Sequence, residues 1–213
     1  MEDTYRTYLP AAGRDWLLPL YDPFVKLLGG DAARRTLLDQ ADLEAADRVL
    51  DVGCGTGTLM VLIARLYPNV RLVGLDPDLR ALARAQRKAR RAGASVELDQ
   101  GFSDALPYAG ASFDRVFSSF MLHHLQPNEK VTALREIKRV LKPGGSLHLL
   151  DFATPETGQS NGFVRWAHSH HRLKDNTEGQ VLRLLHDAGF SAARTVDRGA
   201  LLMGRTAYYS AAR

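Results

Sequence analysis

The sequence predicts an α/β fold in which a doubly wound, mostly parallel sheet of seven strands follows a helical N-terminal segment. Two observations carry this prediction. From Arg48 onward, short apolar segments alternate with helical segments, which is typical of a parallel sheet covered by helices on both faces. A glycine-rich turn at residues 53–57 comes directly after the first apolar segment and before the first helix of the alternation.

Residues 1–45 are predicted to form a helical extension ahead of the sheet, interrupted by prolines. Five aromatic residues lie in its first part: Tyr5, Tyr8, Trp16, Tyr21 and Phe24. They fit a lid over an apolar or aromatic small molecule, and they fit equally a helix face packed into the core. The sequence leaves both interpretations open.

The alternation predicts a strand before each of a series of helices. The strands are expected at Arg48–Val52, Val70–Asp76, Ser95–Gln100, Phe113–Ser119 and Ser146–Asp151. The helices are expected at Thr58–Tyr67, in a basic segment ending at Gly93, and at Asn128–Leu141, which stops at Lys142-Pro143-Gly144-Gly145.

The rest of the chain adds one helix and two strands. After an irregular stretch at 152–176, a capping box from Thr177 to Gln180 starts a helix that Gly189 ends. Two further strands are expected at Ala193–Val196 and Arg205–Ala211. We therefore expect a single domain, 1–213, with an extension at 1–45, a core at 46–151 and a variable part at 152–213.

Composition and charge are those of an ordinary globular protein, with 45% hydrophobic and 24% charged residues. No apolar run reaches the roughly 18 residues that a membrane span needs, and the first residues lack the layout of a secretory signal. The single cysteine, Cys54, is consistent with a reducing compartment, so a cytoplasmic location is expected. The net charge of +4 reflects in part a basic cluster from Arg80 to Arg91. We interpret it as a solvated helix face, because no aromatic residues are interleaved there to stack on nucleic-acid bases.

The glycine-rich turn, which reads Asp51-Val52-Gly53-Cys54-Gly55-Thr56-Gly57, indicates a nucleotide-type cofactor. Glycines allow the backbone to approach a ligand closely and to direct the N–H groups of the next helix towards it. Asp76 ends the second strand roughly 20 residues further on, where an acid accepts hydrogen bonds from ribose hydroxyls. The two features together predict a cofactor site.

The nature of the cofactor depends on Asp51. The pattern Gly-x-Gly-x-Gly differs from the Gly-x-Gly-x-x-Gly expected for a dinucleotide. A carboxylate two residues before Gly53 would repel a pyrophosphate at close range but attract an ammonium and a sulfonium group. The sequence therefore favours a cationic cofactor, S-adenosylmethionine, over NAD.

A set of motifs in a fixed order carries a family resemblance. The motifs are Asp51–Gly57, Leu75-Asp76-Pro77, Gly101 through Tyr108, Ser112-Phe113-Asp114, Leu122-His123-His124-Leu125 and Leu141–Gly145. Together they resemble the class I S-adenosylmethionine-dependent methyltransferases, and among these the small-molecule group that includes the ubiquinone and menaquinone biosynthesis enzymes. The resemblance covers about residues 21–145 and is loose in the C-terminal third. It implies a Rossmann-like fold with an N-terminal lid, and methyl transfer to an O, N or C atom of a small, aromatic or apolar molecule.

The resemblance also implies roles for individual residues. Asp51 and the turn residues Gly53, Cys54, Gly55 and Gly57 would hold the methionine end of the cofactor. The remaining contacts would come from Asp76 and Pro77 at the ribose, Phe102 and Ser103 at the adenine, Ser119 and Phe120 through their backbone, and Tyr21 in the covering segment. The family often carries Asp-Ala after Gly101, where this chain has Phe102-Ser103, so the adenine contact is left open between stacking and Asp104.

His123 and His124 are the candidate catalytic residues, because they follow the fourth strand, at the edge where the substrate should lie. Either histidine has the chemistry of a general base, and either fits a structural hydrogen bond. Methyl transfer to an atom that is already nucleophilic needs only alignment.

His168, His170 and His171 lack the spacing of a zinc site, so no metal is expected. Ser118-Ser119-Phe120-Met121 differs from the Asn/Asp-Pro-Pro-aromatic motif in which nucleobase amine methyltransferases resemble one another, which argues against nucleic acid as substrate.

Two other functions stay open at this point. One is a cofactor-binding relative without methyl transfer, and the other is an NAD-dependent oxidoreductase. The sequence does not identify the acceptor, the accepting atom or the oligomeric state, and it is compatible with a homodimer.

Overall fold

The computed structural model describes residues 30–44, 47–154, 176–201 and 204–213. The first 29 residues of the predicted extension, Tyr21 included, lie outside the described residues. So do His168, His170 and His171.

The described residues form one seven-stranded sheet. Its strands are β1 (Arg48–Val52), β2 (Arg71–Asp76), β3 (Glu97–Gln100), β4 (Phe113–Ser119), β5 (Leu141–Phe152), β6 (Ser191–Leu201) and β7 (Gly204–Ala212). Their order is β3-β2-β1-β4-β5-β7-β6. Strands β1 to β5 pair in parallel, and β7 runs antiparallel to both of its neighbours. The predicted doubly wound, mostly parallel sheet is thereby confirmed.

The described residues contain five α-helices, three of which begin with a side-chain cap. They are α1 (Gly30–Asp39), α2 (Thr58–Leu66), α3 (Leu79–Ala92), α4 (Pro127–Val140) and α5 (Glu178–Asp187), with a 3-10 turn at Leu122–His124. Asp78 caps α3 by accepting from the Arg80 amide at 2.8 Å, and Gly93 ends it in the left-handed conformation. The capping box predicted at Thr177 and Gln180 is present at the start of α5.

Each face of the sheet carries its own apolar core, because neighbouring residues of a strand point to opposite faces. Leu50 packs on the face covered by α4 and α5, with Ile137 and Leu185. Val49 packs on the other face, with Leu37 of α1 and Ile63 of α2. With both faces covered, ligand-binding positions are left at the edge formed by the carboxyl ends of the parallel strands.

The start of β5 differs from the prediction. Helix α4 ends at Val140, and the strand begins at once with Leu141, so Lys142-Pro143-Gly144-Gly145 belongs to β5 and is not a loop before it. The pairing of β4 with β5 shifts register between Phe113 and Arg115, and Gly144 has a φ of 79°. This irregularity accommodates the proline and the glycines, which a regular strand would not hold.

Strand β6 is longer than the predicted Ala193–Val196. It spans Ser191–Leu201 at the edge of the sheet and has two register shifts against β7. Most of its residues are exposed or half-buried, so polar side chains such as Arg198 interrupt the apolar pattern from which a strand is recognised.

Hydrogen bonds and one β-bridge join the chain on either side of residues 155–175. The Thr154 amide donates to the Asn176 carbonyl at 3.2 Å, and Thr154 pairs with Thr177 as in a parallel bridge. The fully buried Asn176 side chain donates to the Phe152 carbonyl at 2.6 Å and accepts from the buried Lys130 ammonium at 3.2 Å. Residues 154 and 176 are thus held side by side next to the end of β5.

Candidate active site

The turn after β1 is shaped by its glycines. Gly53, Gly55 and Gly57 have φ values of 73°, 54° and 73°, in the left-handed region that favours glycine. The Gly53 amide donates to the Leu75 carbonyl at 2.8 Å, which ties the turn to the end of β2. A Cβ on Gly53 would overlap the Met121 side chain. Gly53 therefore lets this turn and the loop after β4 approach each other.

Gly57 serves the packing of the turn against α3. A Cβ at this position would lie 2.8 Å from the Ala85 Cβ. Lys88 of the same helix donates to the hydroxyls of Thr56 and Thr58 at 3.1 and 2.8 Å. The turn is thus fixed from the side of the helix.

A cavity of about 280 Å³ opens beside the turn, at the carboxyl edge of the sheet. Most of the predicted cofactor residues line it: Gly53, Cys54, Gly55, Asp76, Pro77, Phe102, Ser103, Ser119 and Phe120. Asp51 and Gly57 are not among the residues that line it. Phe102 and Asp104 both reach the wall, so the two adenine contacts that the sequence leaves open are both geometrically available.

Asp51 is a buried acid with an unused acceptor. Its side chain is 2% exposed, and Oδ1 has no hydrogen-bond partner among the described residues. Burial raises the pKa of Asp51 to about 7, with the nearby Arg34 opposing this shift and Asp76 adding to it. A buried carboxylate oxygen without a donor is costly, so the position is suited to a ligand that brings a cationic donor.

Asp76 is held in place by two backbone amides. Its Oδ2 accepts from the Gly55 amide at 2.8 Å and its Oδ1 accepts from the Asp78 amide at 2.9 Å. Burial raises the pKa of Asp76, although both amides lower it. A carboxylate offers about four acceptor sites, so each oxygen keeps the capacity to accept from a ribose hydroxyl. An acid for an ammonium, an acid for a diol and a close-packed glycine turn together fit S-adenosylmethionine.

The two candidate catalytic histidines lie in the 3-10 turn after β4, with ring centroids 4.1 Å apart. His124 lines the cavity, whereas His123 lies beside it with 13% of its side chain exposed. His123 Nδ1 is 2.6 Å from Asp151 Oδ1, and its amide donates to Asp151 Oδ2 at 2.9 Å. One histidine therefore borders the cavity and the other is bound to a buried acid.

Comparison with known proteins identifies the family of this site. A sequence family described as a methyltransferase domain matches residues 49–145. The demethylmenaquinone methyltransferase of Thermus thermophilus is 37% identical over 145 residues, which cover 67% of this chain and 65% of that protein. The ubiquinone/menaquinone biosynthesis C-methyltransferase UbiE of Syntrophotalea carbinolica is 33% identical over 162 residues, covering 75% and 67%. The chain belongs to the S-adenosylmethionine-dependent methyltransferases.

This membership agrees with the family, the fold class and the cofactor predicted from the sequence, and it does not favour the NAD alternative. The crystal structure of the cyclase SpnF also matches this methyltransferase fold, with a TM-score of 0.67 and 30% identity over 79% of this chain and 60% of that one. The chain spans about two thirds or less of the length of these relatives.

Sequence reasoning missed two residues, Arg34 at the cavity and Asp151 beside His123. Arg34 of α1 lines the cavity, is 7% exposed, and lies 5.6 Å from the centroid of the Phe120 ring. Met121 lines it too, against Gly53. Arg34 shares a helix face with Leu37 and Leu38, so an arginine within an apolar stripe was a usable signal. Asp151 ends a predicted apolar strand, as Asp76 does, and that parallel was the signal for it.

The described residues add two findings. None of their helices is long and apolar enough to cross a membrane. No group of three or more histidine, cysteine, aspartate or glutamate side chains within them is arranged to hold a metal ion.

Proposed function

We propose that this protein transfers a methyl group from S-adenosylmethionine to an O, N or C atom of a small, aromatic or apolar molecule. The observation that carries the proposal is Asp51, a buried carboxylate with an unpartnered oxygen behind the Gly53–Gly57 turn. Family membership supports the same conclusion. When bound, the cofactor supplies a methyl group made electrophilic by a sulfonium.

Each part of the cavity has a proposed task in holding the cofactor. Asp51 accepts from the ammonium and Asp76 from the ribose hydroxyls, while Gly53 and Gly55 allow close approach. Cys54 and Pro77 border the methionine and ribose ends, Phe102 and Ser103 the adenine, and Ser119 and Phe120 the methyl end. Gly57 contributes by packing the turn onto α3.

The acceptor side carries His123 and His124 as candidate catalytic residues. Aromatic residues close this side, since the Phe120 and Phe152 rings lie 5.1 Å apart and Phe120 lines the cavity. An apolar, aromatic acceptor is compatible with such a wall. Nucleic acid is not the proposed acceptor, because the exposed basic residues of α3 have no interleaved aromatics on that helix.

Calorimetry and a transfer assay test the function together. We expect S-adenosylhomocysteine to bind and NAD not to bind comparably, and we expect isotope-labelled S-adenosylmethionine to label members of a panel of phenols, enolisable diketones and amines. Tighter binding of NAD would overturn the cofactor assignment. Binding without any labelling would instead favour a relative that uses this cofactor site for other chemistry.

The remaining expectations concern the whole chain. Residues 1–28, Tyr21 included, are proposed to cover the bound cofactor, in which case their amides exchange hydrogen more slowly with S-adenosylhomocysteine than without it. Equal protection in both states would make them a permanent part of the core.

The cytoplasmic location and a homodimer stay predictions. Cell fractionation tests the first, and analytical ultracentrifugation tests the second.

A further inference from the structure

Asp151 is a buried acid that cofactor binding does not explain. It is the second-to-last residue of β5, its side chain is fully buried, and it is absent from the cavity wall. Oδ1 lies 2.6 Å from His123 Nδ1 and accepts from the Phe152 amide at 2.7 Å, while Oδ2 accepts from the His123 amide at 2.9 Å. A carboxylate in the interior costs free energy unless it is paired, and here two of its three contacts are with His123 and the third is with the Phe152 amide.

These contacts keep the acid ionised. Burial alone would raise the pKa of Asp151, but His123 and the amides of Phe152 and His123 hold it below its usual value. An ionised carboxylate only accepts hydrogen bonds, so His123 Nδ1 must carry the hydrogen between them. In the neutral ring, the Nε2 atom then keeps its lone pair and is able to accept a proton.

The His123 ring is held close to the cavity wall. It packs 4.1 Å from the ring of His124, which lines the cavity, and edge-on at 5.3 Å from Phe152. Phe152 in turn contacts Phe120, another residue of the wall. Nε2 lies on the side of the ring opposite Nδ1, so it faces away from Asp151, and the adjacent His124 borders the cavity.

We infer that His123 is the general base of the proposed methyl transfer, that Asp151 is its positioning residue, and that the acceptor is a hydroxyl compound or a carbon acid. This inference rests on the proposed function. Nε2 takes the proton of the acceptor O–H or C–H as the new bond from oxygen or carbon to the methyl group forms. The bond from the methyl carbon to sulfur breaks, and its electron pair stays on sulfur. Asp151 stabilises the resulting imidazolium, which later releases the proton to water.

The chemistry of the acceptor follows from what such a pair contributes. A neutral amine attacks with its own lone pair and loses a proton afterwards, so a base gives little in its transition state. A hydroxyl or an enolisable carbon becomes a strong nucleophile only as its proton leaves. A base held in one tautomer by a buried acid is therefore suited to an acceptor that is a hydroxyl compound or a carbon acid.

The test compares naphthol with naphthylamine as acceptors in the full-length protein. His123→Gln should lower naphthol turnover by roughly 10²–10⁴-fold, and Asp151→Asn should lower it by at least about 10-fold. Turnover of naphthylamine should change little in either variant. The affinity for S-adenosylhomocysteine should stay the same in both variants, because the loss lies in the transition state.

A second readout does not depend on turnover. Heteronuclear NMR of the imidazole nitrogens, assigned by comparison with His123→Gln, should show the Nδ1–H tautomer of His123 in the wild type and a shift towards Nε2–H in Asp151→Asn. The matched control is His186→Gln, because His186 also lies beside an acid, 3.6 Å from Asp187, but is 87% exposed on the surface. This control should keep wild-type turnover.

The outcomes separate this inference from the function on which it rests. Failure to methylate any phenol, diketone or amine would overturn both. Methylation of naphthol with an unchanged rate and pH profile in His123→Gln would overturn the inference alone, as would an Nε2–H tautomer in the wild type. A loss of turnover in His124→Gln but not in His123→Gln would assign the base to the other histidine. If Asp151→Asn does not fold, the result for His123→Gln decides.

Discussion

The two ends of the cavity are built in different ways. The cofactor end is formed mainly by the backbone: glycines at positive φ form the turn, and two backbone amides hold Asp76 in place. The histidine end is formed mainly by side chains, namely the His123 and His124 rings and the Asp151 carboxylate. A site made of backbone cannot change without changing the fold, whereas side chains can be replaced on the same fold. We therefore expect the cofactor end to be shared by members of the family and the histidine end to determine which acceptor is methylated.

The largest effect on this comparison should come from Gly53→Ala. Left-handed backbone costs an ordinary residue about 1–2 kcal/mol, and overlap with Met121 should add about 1–3 kcal/mol by overpacking. We expect urea unfolding to show this loss of stability and calorimetry to show weaker binding of S-adenosylhomocysteine. Gly93→Ala is the matched control, because Gly93 has a φ of 66° but nothing within 4 Å of the added Cβ. Equal losses in both variants would mean that the contact with Met121 has no cost.

Asp51→Asn should separate stability from binding. The folded-state pKa of Asp51 is raised from 3.8 to about 7, so the folded protein binds more protons than the unfolded chain between these values. Stability from this group therefore falls as pH rises through that window and is lowest above pH 7. At pH 8 the variant should be more stable than the wild type by about 2 kcal/mol. The full pKa shift would correspond to about 4 kcal/mol, which is the upper limit of this difference.

The same variant should bind the cofactor more weakly, because an amide gives the ammonium no opposite charge. In the wild type, binding of a cation should ionise Asp51 and release protons near pH 7, which calorimetry in buffers of different ionisation enthalpy measures. Tight binding by Asp51→Asn without any stabilisation at pH 8 would contradict the assigned role.

Asp76→Ala tests the second acid at the same end. Loss of hydrogen bonds to a charged group should weaken S-adenosylhomocysteine by about 1.5–3 kcal/mol in calorimetry. The unfolding transition must be recorded alongside, since the variant also leaves the Gly55 and Asp78 amides without their acceptor. An unchanged dissociation constant in a folded variant would show that Asp76 does not hold the ribose.

The smallest effect is expected from the cap of α3. Asp78→Ala removes the acceptor of the Arg80 amide and should cost about 1 kcal/mol of stability. Asp78→Asn keeps a good N-cap residue and should stay close to the wild type. If urea unfolding finds both variants equally destabilised, the charge of Asp78 and not its cap contact is what matters.

The sequence predicted more of the cofactor end than of the histidine end. The reason is that the signals for the cofactor end are local in the chain. Glycine spacing and acids at strand ends are local signals, and Gly53 and Asp76 were recognised from them. Arg34 and Asp151 enter the site only through packing, and the Asp151 contact with His123 joins positions 28 residues apart. Gly57 also has a packing role that the motif did not indicate, since a Cβ there would meet Ala85, and its contact with the cofactor stays a prediction. In the fold, β6 and the start of β5 were misjudged because an edge strand and a bulge carry no apolar alternation.

The pairing of residue 154 with residue 176 has a consequence for how such a protein can be diversified. The chain departs from the sheet and comes back at neighbouring positions, locked by Thr154, Asn176 and the buried Lys130. Whatever is grafted between these anchors adds little strain to the strands, since the loop-closure entropy grows only slowly with length. Exchange of segments at this one junction is therefore a route by which the same catalytic framework can be given new molecules to modify.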